Sequence, residues 1–366
     1  MKRVLHLIPS FELGGVQRRL VQCVRGLTGW EHIIISLSPH LEAERLLPER
    51  TNVMSLCLAP SKGLGMGNVL SLRKQMRAIA PHLYCTYNWG SMEAVAAIRS
   101  LGHGPYHLHH EDGFGAEEAV KRSPVRNALR RGLLGFGPAQ MIVPSQTLQT
   151  IAVQEWGLPR DRCHFVANGI DIDHFAPPPD EASRAGVGIV AALRPEKNIG
   201  RFLRLAAAFP DTAFDIVGAG PLKTDLEKAA PANVRFHGAV ANPAAHYRRW
   251  RCFVLTSSTE QMPLTVLEAM ASGLPVVATA VGDIAQMVAP QNRPFIVPCE
   301  DEEGLDTKLR EILTDGKAAD ALGNANRQHT VERYSLDNML ATYQALYDRF
   351  GRAESHIEFS RNPERL

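Results

Sequence analysis

The chain has 366 residues, 45% of them hydrophobic and 21% charged, which is enough apolar material for packed cores and enough length for about two domains. Forty Lys and Arg against thirty-eight Asp and Glu leave a formal charge of +2, so no overall basic field selects nucleic acid as a partner. Six scattered cysteines with no Cys-x-x-Cys pair read as reduced small side chains rather than a disulfide or zinc framework.

The opening Met1–Pro9 is basic, but its apolar run is shorter than the roughly 7–15 residues of an export signal. It predicts a first strand, Val4–Ile8. A turn, Pro9–Gly14, leads into a helix from Gly15 to Leu27, where Val16, Leu20, Cys23, Val24 and Leu27 share one face. Strands are expected at His32–Leu37, Val53–Leu58, His82–Thr86, Tyr106–His109, Ala139–Val143 and His164–Ala167. Helices are expected between them at Val69–Ile79, Met92–Ser100, Pro124–Leu134 and Gln146–Trp156. The Pro177-Pro178-Pro179 run within Phe175–Asp180 is a stiff candidate linker.

The alternation then restarts. Strands are expected at Gly188–Leu193, Ala213–Val217, Val234–His237, Cys252–Thr256 and Pro275–Thr279. Helices are expected at Ile199–Ala208, Leu222–Ala229, Ala244–Trp250 and Pro263–Ala271. Three further helices follow, Glu303–Leu313, Ala318–Thr330 and Leu336–Phe350, and the polar tail 351–366 reads as frayed. The most apolar window, Met262–Val281, is broken by Pro263, Glu268 and Gly273, so it cannot be a spanning helix of about 20 residues. The expected fold is α/β: two doubly wound parallel sheets facing a cleft, with a cytoplasmic location. Ligands of such sheets lie beyond the carboxyl ends of the strands, so the loops there carry the functional expectations.

The most informative loop runs from Ser257 through Glu260, Gln261, Met262 and Pro263 into a helix holding Glu268 and ending at Gly273. Pro263 suits a first turn and Gly273 a left-handed end. The free amides of Leu264 and Thr265 suit a phosphate or diphosphate. Glu260 and Glu268 suit sugar or ribose hydroxyls, or else serve the helix dipole and a solvated face. The loop Leu193–Asn198 offers Arg194 and Lys197 as cations for a departing diphosphate, with Asn198 as N-cap, or is an ordinary surface loop. Gly218-Ala219-Gly220 is half of a dinucleotide fingerprint that fails at Lys223, which argues against a nicotinamide oxidoreductase. Gly14-Gly15 lets backbone amides approach an anion from the opposite wall.

Together these stretches resemble a family 4 glycosyltransferase of the two-Rossmann GT-B architecture. The resemblance is carried in order by Gly14-Gly15-Val16, Val166–Asp171 with Phe175, Arg194 with Lys197, Val217–Pro221 and Glu260-x7-Glu268 followed by Ala269–Val277, over about residues 3 to 350. It implies retaining transfer of a sugar from a UDP- or GDP-type nucleotide sugar to a glycan, lipid-linked or small-molecule acceptor, with no metal or other cofactor. It also implies an N-terminal domain, 1–170 joined by the helix 336–366, and a donor domain, 171–335. By the matching positions Glu268 binds ribose, while Glu260 and the backbone of Gln261 and Met262 hold the sugar. Arg194, Lys197 and the amides of Leu264, Thr265 and Gly15 clamp the diphosphate, with Gly14, Gly218 and Gly220 lining the donor side. His109, or else His110, stands where the family keeps a histidine against the sugar. The chain departs from the family at Gln261, where glycine is usual, and at Gly282–Gln286, where a Gly-Gly-x-x-Glu element is usual.

Other readings remain open from the residues. A sugar-nucleotide epimerase shares the architecture and needs no acceptor, and a two-domain sugar-binding protein needs an export signal. Asp171-Ile172-Asp173 reads as a turn rather than a metal site. The run His107–Asp112 lacks the helical spacing of a zinc motif. The basic strip 121–136 is either a solvated helix with a buried apolar side or a contact for an anionic membrane surface or lipid-linked diphosphate. Acceptor loops are expected at Pro9–Gly14, Gly63–Asn68, Asn88–Gly90 and Glu111–Glu118.

Overall fold

A computed structural model describes residues 1–59, 64–102, 106–114, 118, 122–137, 139–179 and 184–351. Parts of five expectations lie outside the described residues: the tail beyond Gly351, Gly63 and 115–117 of two acceptor loops, 121 of the basic strip and 180 of the linker.

The first sheet holds β1 (Lys2–Ile8), β2 (Trp30–Ser36), β3 (Asn52–Ser55), β4 (Leu83–Tyr87), β5 (Tyr106–His110), β6 (Gln140–Val143) and β7 (Cys163–Phe165). The second holds β8 (Val187–Val190), β9 (Phe214–Val217), β10 (Val234–Gly238), β11 (Cys252–Leu255), β12 (Val276–Thr279) and β13 (Ile296–Val297). Every pairing is parallel, and the strand orders are 3-2-1-4-5-6-7 and 10-9-8-11-12-13. Each order reverses direction beside the first strand of its sheet, the place where doubly wound sheets open a crevice. Central strands such as β4, β11 and β12 are buried throughout, because helices cover both faces. The strand β13 went unpredicted. It is two residues long and follows Pro294, so it offers no periodic signal.

The helices of the first half are α1 (Gly15–Gly26), α2 (Met66–Ile79), α3 (Met92–Ser100), α4 (Pro124–Arg130) and α5 (Gln146–Gln154). The second half adds α6 (Ile199–Ala207), α7 (Lys223–Ala229), α8 (Ala244–Tyr247), α9 (Leu264–Ala271), α10 (Ile284–Met287), α11 (Glu302–Thr314), α12 (Gly316–Arg333) and α13 (Leu336–Phe350). The last of these crosses back. Met339, Tyr343, Tyr347 and Phe350 pack into the core of the first sheet with Val4, Leu20, Trp30 and Leu83. Tyr347 meets Trp30 edge-on, with ring centroids 5.5 Å apart. The outward and returning segments are pinned together where they pass, Ile170 N–H donating to Tyr334 O at 2.8 Å and Leu336 N–H to Ile170 O at 2.8 Å.

The basic strip is a helix only in part, from Pro124 to Arg130, and one of its cations is buried. After α4 the chain makes a π-turn at Arg131–Gly135. Arg130 is fully buried, its guanidinium 4.6 Å from the Trp156 ring centroid and 5.0 Å from that of Trp89. It pairs with Glu118 at 3.1 Å, as does Arg126 at 3.1 Å, and Arg122 pairs with Glu155. Aromatic rings and carboxylates thus bury Arg130 and pair Arg122 and Arg126, whose side chains stay about a third exposed.

Polar contacts also join the two halves across the cleft. Asp283 of the second half accepts from the amides of Gln146 at 2.5 Å and Thr147 at 3.0 Å, the first two residues of α5. Ser145, which caps α5 by accepting from Leu148 N–H, donates to Gln261 Oε1 at 2.9 Å. Gln261 and Asp283 occupy two positions where the resembled family has glycine, and both side chains reach the opposite domain.

Two outcomes test this architecture. Tyr347→Ala should destabilise the protein by about 3–5 kcal/mol, the cost of deleting a large buried ring, read as a lower urea midpoint. Asp283→Ala removes charge-assisted bonds of about 1.5–3 kcal/mol each, so the Gln146 and Thr147 amides should exchange hydrogen at least about tenfold faster.

Candidate functional site

A cavity of about 630 Å³ lies between the halves, beyond the carboxyl ends of β1, β8, β9 and β11. It brings together Gly14, Gly15, Lys197, Gly218, Glu260, Gln261, Met262, Leu264, Thr265 and Glu268. Two helix starts face each other there. A Cβ built on Gly15 would stand 3.8 Å from Leu264 Cδ1, so the first side chain of α9 reaches toward the start of α1. The opening amides of both helices lack carbonyl partners one turn back and carry the positive ends of the helix dipoles. Pro263 sits one residue earlier than expected, at the N-cap of α9. Gly273 ends that helix in the left-handed conformation foreseen for it, at φ +71°.

Glu268 is no solvated face residue. It is 5% exposed and accepts from Tyr247 OH at 2.7 Å. Burial raises its pKa, against the pull of that hydrogen bond and of the Arg18 charge. Burial, followed by the Glu268 charge, holds the Tyr247 phenol well above its usual range. Glu260 accepts at one oxygen from Lys197 Nζ at 2.6 Å and from Ser257 Oγ at 2.8 Å. The pair is half-buried, so each partner fixes the other at the cavity wall.

Two expected site residues, Arg194 and Gly220, and one expected helix cap, Asn198, stand elsewhere. Arg194 is exposed and does not line the cavity. It precedes a tight turn, Pro195–Lys197, that directs Lys197 inward instead. Asn198 follows that turn at φ +45° and makes no side-chain cap. Gly220 lies behind the cavity, where a Cβ would fall 2.5 Å from Leu193 O; a Cβ on Gly218 would fall 1.8 Å from Ala191 O. Both glycines are therefore required by the crossing of two loops, whatever binds in front of them.

His109 is the main correction. It is fully buried in β5, with Nδ1 2.7 Å from Thr86 Oγ1 and Nε2 3.6 Å from Glu111. His110 is equally buried, its ring stacked between Tyr87 at 4.5 Å and Tyr343 at 5.9 Å, and burial lowers its pKa. The ladder of β5 continues through His110, so both rings belong to the faces of the sheet rather than to the loop beyond it. The member of that run lining the cavity is Asp112. It pairs with Arg19 at 2.5 Å, Arg19 donates to Asn168 Oδ1 at 3.2 Å, and Asn168 donates to Met262 O at 2.8 Å.

Sequence reasoning also missed Arg18, Arg45 and Asn168 as cavity residues. Arg18 stands three residues after Gly15, a helical spacing that could have placed it. Arg45 gives no local signal. Asp171 accepts from the amides of Asp173 and His174, so the Asp-x-Asp string is a turn. Among the described residues no three His, Cys, Asp or Glu side chains gather as metal ligands, and no helix is long and apolar enough to cross a membrane.

Comparison with known proteins agrees with this architecture. The solved structure of the Anabaena protein HepE in complex with UDP superposes with a TM-score of 0.82 at 18% identity, covering 95% of this chain and all of that one. Sucrose-phosphate synthase of Thermosynechococcus elongatus gives 0.80 at 19% identity, covering 95% and 99%. At such identities the shared property is the fold, that of GT-B glycosyltransferases. In sequence, the sulfoquinovosyl transferase of Arabidopsis thaliana is 34% identical over 40% of this chain and 29% of its own length. A GDP-mannose-dependent phosphatidylinositol monomannoside mannosyltransferase of Mycolicibacterium smegmatis is 30% identical over 46% of this chain and half of its own length. These matches span no more than half of either relative. The model of Glycosyltransferase Family 4 matches residues 13–174, and that of Glycosyl transferases group 1 matches 174–329. Meeting end to end over both domains, they make this chain a member of the family 4, group 1 glycosyltransferases.

Proposed function

We propose that this protein is a retaining glycosyltransferase that moves a sugar from a UDP- or GDP-type nucleotide sugar to a glycan, lipid-linked or small-molecule acceptor. The observation that carries the reading is the meeting of two helix starts, one from each domain, over a cavity that holds a buried carboxyl at Glu268. An anion fits between the helix starts and hydroxyls fit the carboxyl, which is the chemistry of a nucleoside diphosphate. The relatives support this donor class, since one is named as GDP-mannose-dependent and HepE was solved with UDP.

In this reading Glu268 accepts from the ribose hydroxyls. Glu260 and the backbone of Gln261 and Met262 hold the sugar. Lys197 and the amides of Gly15, Leu264 and Thr265 receive the diphosphate. Cleaving the glycosyl–phosphate bond builds positive charge on the sugar ring and negative charge on the leaving group. Fixed dipoles and a cation aimed at that leaving group stabilise the transition state more than the ground state. Helix ends and Lys197 supply this charge, so the reading calls on no metal ion. It also assigns no carboxylate as nucleophile: the acceptor attacks the face from which the diphosphate departs, and a phosphate oxygen takes its proton. His109 takes no part, being sealed behind Thr86 and Glu111.

A thermal-shift panel of nucleotides and nucleotide sugars tests the donor. The true donor at one hundred times its Kd should stabilise the protein by about 2.7 kcal/mol, and a panel in which no nucleotide raises the Tm overturns the reading. Release of nucleotide without any acceptor would favour the epimerase instead. Glu268→Gln should weaken binding of that nucleotide by about tenfold or more by calorimetry. The same variant should be more stable than the parent at neutral pH. The folded-state pKa of Glu268 is raised, so its stability contribution falls as pH rises from the ordinary carboxyl value, about 4.3, through the folded value. The Tm difference should therefore shrink as pH falls from the raised folded value toward about 4.3, and a constant difference would contradict the burial argument.

A further inference from the structure

The charge balance of the cavity reveals a feature that the functional reading leaves unassigned. Its ionisable lining consists of Arg18, Arg45, Asp112, Lys197, Glu260 and Glu268. Lys197 and Glu260 neutralise each other at 2.6 Å, and Asp112 is matched by Arg19 at 2.5 Å. Two cations are left against one carboxyl, Glu268, whose ionisation burial opposes. Among the described residues neither Arg18 nor Arg45 makes a side-chain hydrogen bond or an ion pair; Arg18 bears electrostatically on Glu268 and Tyr247.

Both arginines belong to the first domain. Arg18 is half-buried in the first turn of α1, beyond the end of β1. Arg45 lies on a 3-10 turn, Glu42–Leu46, beyond the end of β2. That turn is held to the loop after β1 by Phe11 N–H donating to His40 O at 3.2 Å and Ala43 N–H to Phe11 O at 2.9 Å. The first domain thus contributes both arginines to the cavity lining, and the second contributes Glu268 and the start of α9. A guanidinium facing a cavity with no partner is a donor set without an acceptor, and its planar fork matches phosphate oxygens better than any other common group.

We propose that Arg18 and Arg45 form an anion subsite that takes a phosphoryl group, borne either by the donor as its diphosphate or by the acceptor. The inference rests on the donor-cavity reading above and shifts the source of its charge. Arg194, expected to clamp the leaving group, stands outside the cavity, and the free positive charge comes from the opposite domain. An anion held between arginines of one domain and helix amides of the other also draws the two domains together.

Titration of inorganic pyrophosphate by calorimetry tests the subsite. Wild type should bind it. The double variant R18Q/R45Q should bind at least about tenfold more weakly, and each single variant should fall between. Arg25→Gln, at the exposed far end of the same helix, should match wild type. Arg45 is exposed, so R45Q alone keeps the test readable if the double variant unfolds. Repeating the titration with protein saturated by UDP or GDP separates the sources: displacement assigns the anion to the donor, and binding alongside the nucleotide assigns it to the acceptor. If neither nucleotide binds but pyrophosphate binding remains arginine-dependent, the subsite stands and the donor reading falls. Wild type that does not bind pyrophosphate, or equal binding by wild type and the double variant, overturns the proposal.

Discussion

A helix that begins inside a cleft leaves its first amides without partners, and this structure sets two such beginnings face to face. The start of α1 and the start of α9 line one cavity, one from each domain, with the Leu264 side chain reaching toward Gly15. Neither end can be satisfied by its own helix, and the cavity between them excludes a second protein layer. The rest of the molecule serves this placement. Each parallel sheet reverses its strand order beside its first strand, which brings these loops to the cleft.

Holding two domains at that separation takes polar contacts that water could otherwise replace. The chain from Asp112 through Arg19 and Asn168 to Met262 runs from the first domain into the loop before α9. Asp283 completes the opening turn of α5 from the other side, much as a capping residue of that helix would. The first network is buried and the second partly so, where a hydrogen bond to a charged group is strong and a missing partner is costly. They fix the domains in register, so the carboxyl of Glu268 and the arginines of the first domain share one cavity.

Burial also redistributes charge. The basic strip reads as surface because it contains so many cations. Yet Arg130 is the most enclosed of them, held among Trp89, Trp156 and Glu118. Lys197 and Arg194 are three residues apart on one loop, and only Lys197 turns inward, toward Glu260. A cation count in a loop therefore says little about which cation meets a ligand. The backbone turn decides that.

Much of the fold is legible in the residues. Short apolar runs separated by helical patterns predict twelve of the strands in order, because a strand buried on both faces must be apolar along its length. The Glu260 and Glu268 spacing, Pro263 and Gly273 mark the helix that faces the cleft, because helix ends demand particular residues. Three things were decided only in tertiary structure. The side chains of β5 point according to where its ladder ends, and that put His109 inside the sheet rather than at the cavity. The meeting of Arg45 with residues more than 150 positions away depends on how the domains close, which no local pattern encodes. The inward turn of Glu268 depends on Tyr247, a partner 21 positions earlier that only the packed second sheet brings to its carboxyl. Sequence determines local geometry through short-range sterics and hydrogen bonding; the charge that surrounds a ligand is set by contacts that exist only after both domains have packed.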